Sequence, residues 1–179
     1  MIMNKYIAFL RGINVSGQKK IKMADLRQLL EKSGLRNVQS YIQSGNLIFE
    51  SEKDPPALVD HIQDLIQNKY QFDVVTIVRR REEIQSILDN NPFTTDSTKI
   101  RERMYFTLLA ENPDDERLKL LADVDHSPEE FDVNGKTIYF YAPNGYGRAK
   151  MNNNFFENKL KVKATTRNLK TMLKMLELT

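Results

Sequence analysis

The sequence contains no cysteine, and this absence excludes several kinds of site at once. A chain without thiols has no disulfide framework, no thiolate zinc site and no cysteine nucleophile. Long apolar runs are missing too, since the N-terminal run from Tyr6 to Leu10 is closed by Arg11. That run is too short for a signal-peptide core or a membrane span. We therefore expect a cytoplasmic protein with no membrane partner.

Histidine is scarce, and its two positions do not resemble a catalytic or metal site. His61 falls in an amphipathic helical pattern and His126 in an acidic stretch, and neither has a second ligand at metal-binding spacing. The acidic residues between 114 and 130 lack the calcium-loop pattern and indicate solvated surface. The sequence thus predicts no metal site, and it identifies no acid-base pair and no cofactor.

Charge is distributed unevenly along the 179 residues, although the net charge is only +3. Residues 1–49 carry +6, residues 50–146 carry −9 and residues 147–179 carry +6. If the two basic ends meet, they form one positive surface that attracts an anionic partner. Solvated helix faces explain the same pattern equally well, so both interpretations stay open.

The first half predicts strands and helices in the order β-α-β-β-α-β, followed by one more helix. Tyr6 to Leu10 is a continuous apolar run, as in a strand buried on both faces. Ser44-Gly45-Asn46 separates two strand-like segments at 38–43 and 47–49, which indicates a hairpin. Asp54 predicts the cap of the next helix, with proline in its first turn.

The second half predicts the same order of elements. Its pattern gives a strand at 104–109, a helix opened by Pro113, a hairpin through Asn134-Gly135, a helix around Phe155, a short strand at 162–164 and a final helix capped by Thr165 or Thr166. This is the order of the split β-α-β unit. We therefore predict an α+β fold of two tandem ferredoxin-like (α-β plait) units, each with an extra helix, in domains 1–95 and 96–179.

Three segments together resemble a bacterial family known only as domain of unknown function 1697. They are Arg11-Gly12-Ile13-Asn14-Val15 with the following Lys19 to Leu26, then Tyr41-Ile42-Gln43-Ser44-Gly45-Asn46, then Thr165-Thr166-Arg167-Asn168. The resemblance implies two domains of the α-β plait type and supplies no established activity.

The sequence departs from the family pattern at three positions. Ser16 stands where members often have glycine, Ala149 where serine is common, and Leu169 where tryptophan is common. A serine nucleophile near 149 is therefore excluded in this chain. If the family shares one function, the resemblance points instead to the following residues: Arg11, Asn14, Gln43, Ser44, Asn46, Arg167 and Asn168.

Arg11 and Asn14 lie where a strand gives way to a loop before a helix, a place where backbone N–H groups often bind anions. Lys19 and Lys20 add positive charge to this candidate site. The loop has neither a dinucleotide fingerprint nor a phosphate-loop spacing. Its glycines are equally consistent with tight turns alone.

Gln43, Ser44 and Asn46 present two amides and a hydroxyl suited to a polar ligand, although a tight turn demands the same residue types. Arg167 and Asn168 follow the predicted cap. An arginine in the first turn of a helix opposes the helix dipole, which favours a role in binding an external anion. A surface arginine without a ligand is the alternative.

The best-supported function from the sequence is a binding module for a phosphate-bearing ligand, a nucleotide or nucleic acid, in a basic cleft between the two halves. Arginine suits this task because its planar fork holds two oxygens at once. A small-substrate enzyme using the same polar cluster and a structural or interaction protein are the alternatives. Aromatic residues at 139–141, with Tyr6 and Phe9, also raise a minor hypothesis of base stacking, without the RNA-recognition signature.

Overall fold

A computed structural model describes residues 3–123 and 125–179 of the chain. The chain divides into two compact units, the first formed by Met1–Ser86 with Lys174–Thr179 and the second by Ile87–Leu173. Among the described residues, no helix is long and apolar enough to cross a membrane. The sequence-based domain boundary between residues 95 and 96 stays a prediction.

Unit 1 is a four-stranded antiparallel sheet with helices. Its elements are β1 (Asn4–Leu10), α1 (Met23–Lys32), β2 (Arg36–Tyr41), β3 (Asn46–Ser51), α2 (Pro55–Tyr70), β4 (Thr76–Arg80) and the start of α3 (Arg81–Asp89). The strands lie in the order β2-β3-β1-β4, and each neighbouring pair is antiparallel. The end of β1, the β2–β3 turn and the start of β4 therefore meet at one end of this sheet.

The core of unit 1 explains why β1 is a continuous apolar run. Tyr6, Ala8 and Leu10 belong to a cluster that also contains helix residues such as Leu26 and Ile62. The intervening Ile7 and Phe9 point to the opposite face and are fully buried as well. Both faces of β1 are thus covered, as the sequence predicted.

Unit 2 repeats this plan. Its elements are β5 (Met104–Leu109), α4 (Asp115–Ala122), β6 (Glu130–Asn134), β7 (Thr137–Tyr141), α5 (Asn153–Leu160), β8 (Ala164–Asn168) and the start of α6 (Leu169–Leu178). The strand order β6-β7-β5-β8 is antiparallel throughout. The predicted hairpin is confirmed, since Asn134 pairs with Thr137 and Gly135 occupies the turn at φ 55°.

Of the helix caps predicted from the sequence, the one for α2 is correct and the one for α6 lies two to three residues early. Asp54 caps α2 as predicted, because its Oδ1 accepts from the Ala57 N–H at 3.0 Å. Thr165 and Thr166 do not cap α6. They lie inside β8, and Asn168 is the cap, with its Oδ1 accepting from the Thr171 N–H at 2.8 Å. Strand pairing of β8 with β5 overrides the local capping signal.

Gly45 lies where the β2–β3 turn passes against the end of β1. Its carbonyl accepts from the Leu10 N–H at 2.7 Å, and its φ is +79°. A Cβ at this position would lie 2.7 Å from the Leu10 Cβ and 2.9 Å from the Ile13 Cδ1. Only glycine fits both the backbone conformation and the space.

Gly45→Ala is therefore expected to lower the free energy of unfolding by about 3 kcal/mol, combining left-handed strain with overpacking. The matched control is Gly17→Ala, because Gly17 has nearly the same φ of +77° but a Cβ there would have no heavy atom within 4 Å. We expect the control to cost about 1 kcal/mol. Urea unfolding of both variants checks this, and equal losses would contradict a close contact at Gly45.

Candidate functional site

Three segments of unit 1 meet at one end of its sheet, and we call them together the loop end: residues 11–22, 42–45 and 71–75. The Arg11 N–H donates to the Val75 carbonyl at 2.9 Å, and the Lys19 ammonium donates to the Asp73 carbonyl. The contact between Gly45 and Leu10 of β1 joins the segment 42–45. The sequence-predicted residues of the first half are thus brought to one place by the strand order.

Residues 14–19 form a miniature hairpin, which we call the finger. The Asn14 N–H donates to the Lys19 carbonyl at 3.2 Å, and the Gln18 N–H donates to the Val15 carbonyl at 3.0 Å. Ser16 and Gly17 at its tip have φ of 50° and 77°. Two central residues with positive φ are the mark of a tight type I′ hairpin turn. This conformation explains why glycine suits the position that Ser16 occupies.

The side-chain amide of Asn14 bonds the finger to the residues on either side of it. Its Oδ1 accepts from the Ile21 N–H at 2.8 Å, while its Nδ2 donates to the Ile21 carbonyl at 2.9 Å and to the Gln43 carbonyl at 2.8 Å. Asn14 itself has φ of 55°, a conformation that asparagine tolerates. We assign Asn14 to positioning, because its amide is already engaged on both sides by the protein.

Asn46 and Ser44 shape the turn between β2 and β3. Asn46 is fully buried, and its Nδ2 donates to the Tyr41 carbonyl at 3.1 Å and to the Ser44 Oγ at 3.0 Å. Gln43 extends an exposed side chain from the same turn. The sequence allowed Ser44 and Asn46 either a role in the turn or a role in ligand binding. Their hydrogen bonds show that both residues stabilise the turn.

The loop end is strongly basic. Residues 11–22 contain Arg11, Lys19, Lys20 and Lys22 and no acidic residue. Lys20 and Lys22 are exposed, and Arg11 and Lys19 are partly exposed. Lys22 is also the residue before α1, and no side chain caps that helix start. The positive end of the helix dipole adds to the charge of these side chains.

The corresponding end of unit 2 is built by the same backbone contacts with different side chains. The Leu109 N–H donates to the Lys136 carbonyl at 2.9 Å, and the Ala110 N–H donates to the Lys163 carbonyl at 2.8 Å. Leu109 and Ala110 thus take the places of Leu10 and Arg11. The connection that follows covers only residues 110–114, Ala-Glu-Asn-Pro-Asp, with two acids and no base. The fold is therefore complete without a long basic loop.

Arg167 and Asn168 lie in unit 2, on β8. The Arg167 Nη1 donates to the Thr165 Oγ1 at 2.8 Å and to the Thr166 carbonyl at 2.9 Å. Loss of water around the guanidinium lowers the pKa of Arg167 to about 10, partly offset by Tyr146. The prediction that Arg167 lies in a helix and opposes its dipole is wrong, because Arg167 lies in β8, before α6 begins. Its predicted grouping with the loop end stays a prediction.

Arg79 is a buried arginine that the sequence analysis missed. It is 6% exposed, its Nη1 donates to the Val78 carbonyl at 3.0 Å, and burial lowers its pKa. Arg79 and Arg167 are each the penultimate residue of an edge strand that runs directly into a helix, and each donates to the carbonyl of the preceding residue. Aligning the two strand–helix junctions would have revealed this shared position.

Each of the two histidines contacts another side chain of the protein. The His61 Nε2 lies 2.9 Å from the Ser33 Oγ, and burial is the main cause of its lowered pKa. His126 packs edge-on against Phe155, with ring centroids 5.1 Å apart. No group of three metal-ligating side chains occurs among residues 3–123 and 125–179. A cavity of about 250 Å³ in unit 2 is lined by Glu157, Asn158, Lys161, Val162 and Lys163.

The base-stacking hypothesis is wrong for the aromatic residues on which it rested. Tyr6, Phe9 and Phe140 are fully buried, and Tyr139 and Tyr141 are 2% and 6% exposed. A side chain must present a ring face to stack on an incoming base. These five rings pack inside the protein instead.

Comparison with known proteins identifies the family and no activity. The family model described as "Protein of unknown function (DUF1697)" matches residues 3–139, so the chain belongs to this family. The chain is similar to the solved structure of the conserved bacterial protein SP0830 from Streptococcus pneumoniae, with 26% sequence identity and a TM-score of 0.79. That match covers 99% of each chain. No curated protein matches the sequence.

Asn14→Gly isolates the positioning role of the Asn14 amide, because glycine keeps the positive φ and removes the side chain. Loss of its hydrogen bonds leaves the Ile21 N–H and two carbonyls without this partner, and we expect the free energy of unfolding to fall by about 2 kcal/mol. The control is Ser16→Gly, at a neighbouring exposed residue of similar φ, which should stay within about 0.5 kcal/mol of wild type or gain stability. Chemical denaturation measures both, and an undiminished stability of Asn14→Gly would refute the assignment.

Proposed function

We propose that this member of the DUF1697 family binds a phosphate-bearing anionic ligand at the loop end of unit 1. The comparison between the two units carries the proposal. Unit 2 makes the same strand-end contacts with a short acidic connection, whereas unit 1 has a longer connection with four basic residues. Since the fold does not require this loop, its length and charge are best explained by a ligand.

We also propose that each unit is an α-β plait of the ferredoxin-like class. The strand orders β2-β3-β1-β4 and β6-β7-β5-β8, with every neighbour antiparallel, support this assignment. This class hosts many unrelated functions, so the fold says little about the activity. The activity therefore depends on the chemistry of the loop end.

The chemistry of the loop end favours anion binding over catalysis. Its charged side chains are one guanidinium, three ammonium groups and the single carboxylate of Asp73. Arginine binds two phosphate oxygens through its planar fork, and lysine supplies a compact positive charge. The start of α1 adds backbone N–H groups and the positive end of a dipole.

The finger at the loop end is also preorganised for binding. The finger is fixed internally by a tight turn and externally by the Asn14 side chain, so the backbone that carries Lys19 and leads to Lys20 needs little ordering when a ligand arrives. Binding then loses less conformational entropy than it would on a flexible loop. Arg167 and Asn168 stay proposed ligand residues on unit 2.

The test is calorimetric titration of wild type, Arg11→Ala and Lys20→Ala with adenosine triphosphate, pyrophosphate and a short single-stranded oligonucleotide. Each substitution removes a positive charge from the loop end, and we expect each to weaken binding about tenfold or more. For the oligonucleotide, affinity should also fall with salt, with a log-log slope of about −0.7 per phosphate contacted.

Lys136→Ala is the matched control, because Lys136 lies at the equivalent end of unit 2 and is exposed. It should bind all three ligands as wild type does. The proposal fails if wild type binds none of them, or if Lys136→Ala weakens binding as much as Lys20→Ala.

A further inference from the structure

Two aliphatic side chains stand out at the loop end because they are exposed. Val15 on the finger is 52% exposed, and Ile42 in the β2–β3 turn is 51% exposed. They adjoin Asn14 and Gln43, which are joined by the 2.8 Å hydrogen bond from the Asn14 Nδ2. The two aliphatic residues therefore lie on neighbouring segments that this hydrogen bond joins.

Ile42 is the less expected of the two. Its φ is +51°, a conformation that β-branched residues rarely adopt. Glycine or asparagine would satisfy this turn position with less strain, and neither would expose apolar surface to water. Neither the backbone nor the core thus accounts for isoleucine at this position.

The surroundings of the two side chains indicate what would cover them. Lys19 ends the finger that carries Val15, Lys20 follows directly, and Arg11 lies three residues before the finger. A ligand that satisfies both features has an apolar part beside an anionic part. Inorganic phosphate and sugar phosphates lack the apolar part, while a nucleoside phosphate has a flat base with two apolar faces, joined through its sugar to a phosphate.

Building on the anion-binding function proposed above, we propose that the ligand is a nucleoside phosphate whose base is held against Val15 and Ile42. The basic residues of the loop end then hold its phosphate. Recognition combines apolar contact with the base and ionic contact with the phosphate, as in most ligand sites where apolar walls are joined by a few polar groups. The shared chemistry is base plus phosphate, in a mononucleotide or in a single strand.

The experiment compares adenosine 5′-monophosphate with ribose 5-phosphate, which differ only in the base, and adds a ten-residue oligothymidylate. Wild type should bind the nucleotide at least tenfold more tightly than the sugar phosphate. Ile42→Gly and Ile42→Asn should weaken nucleotide binding about tenfold, leave sugar phosphate binding unchanged, and raise the melting temperature because both residues tolerate positive φ. Val15→Ser should weaken nucleotide binding in the same way.

Ile100→Asn is the matched control, since Ile100 is an exposed aliphatic residue of unit 2, at 54% exposure. It should bind the nucleotide as wild type does. Equal affinity of wild type for nucleotide and sugar phosphate, or wild-type nucleotide binding by the Ile42 variants, overturns the inference and leaves anion binding intact. If no phosphate compound binds, both proposals fall. The natural ligand is a single strand if the oligothymidylate binds more tightly than the mononucleotide and the Ile42 variants lose this difference in affinity.

Discussion

The hydrogen bonds of the Asn14 side chain connect parts of unit 1 that are distant in sequence. The amide pairs with the backbone of Ile21 as a neighbouring strand would, and it reaches the Gln43 carbonyl across the β2–β3 turn. An asparagine amide has one acceptor oxygen and two N–H donors, so it can pair with a peptide unit and still donate one further hydrogen bond. Through this contact the path of the chain into α1, the position of the finger and the position of the turn depend on one another.

These contacts give a physical reason for two of the sequence motifs that the chain shares with its family. The arginine-containing loop and the turn segment lie far apart in the sequence, and the structure joins them through Asn14 to Gln43 and Leu10 to Gly45. Gly45 is required because a side chain would collide with Leu10. Part of each motif is thus explained by packing, and the basic and exposed residues are the ones proposed to bind a ligand.

Internal duplication supplies a control within a single chain. Unit 2 repeats the strand order and the strand-end contacts of unit 1, and it also repeats an arginine before a helix, with Arg167 equivalent to Arg79. What the units share is explained by the fold. What only unit 1 has, the finger and the basic residues around it, is the basis of the proposed ligand binding.

Much of the fold could be predicted because local and tertiary signals agree. The apolar run of β1, the Asp54 cap and the Asn134-Gly135 hairpin each have one interpretation that the packing also favours. Prediction failed at Thr165 and Thr166, where pairing with β5 outweighs a capping signal. It also missed the contact from Asn14 to Gln43, because no local pattern in the sequence encodes a hydrogen bond between separate loops.

The central claim is that the ligand binds at the loop end of unit 1, and amide chemical shifts test it most directly. A ¹⁵N-labelled sample would be titrated with adenosine triphosphate while all backbone amides are observed. The account predicts saturable shifts in residues 11–22 and 42–45, with residues 110–114 and 134–136 at the equivalent end of unit 2 unchanged. Saturable shifts confined to unit 2, or no saturable shifts at all, would contradict it.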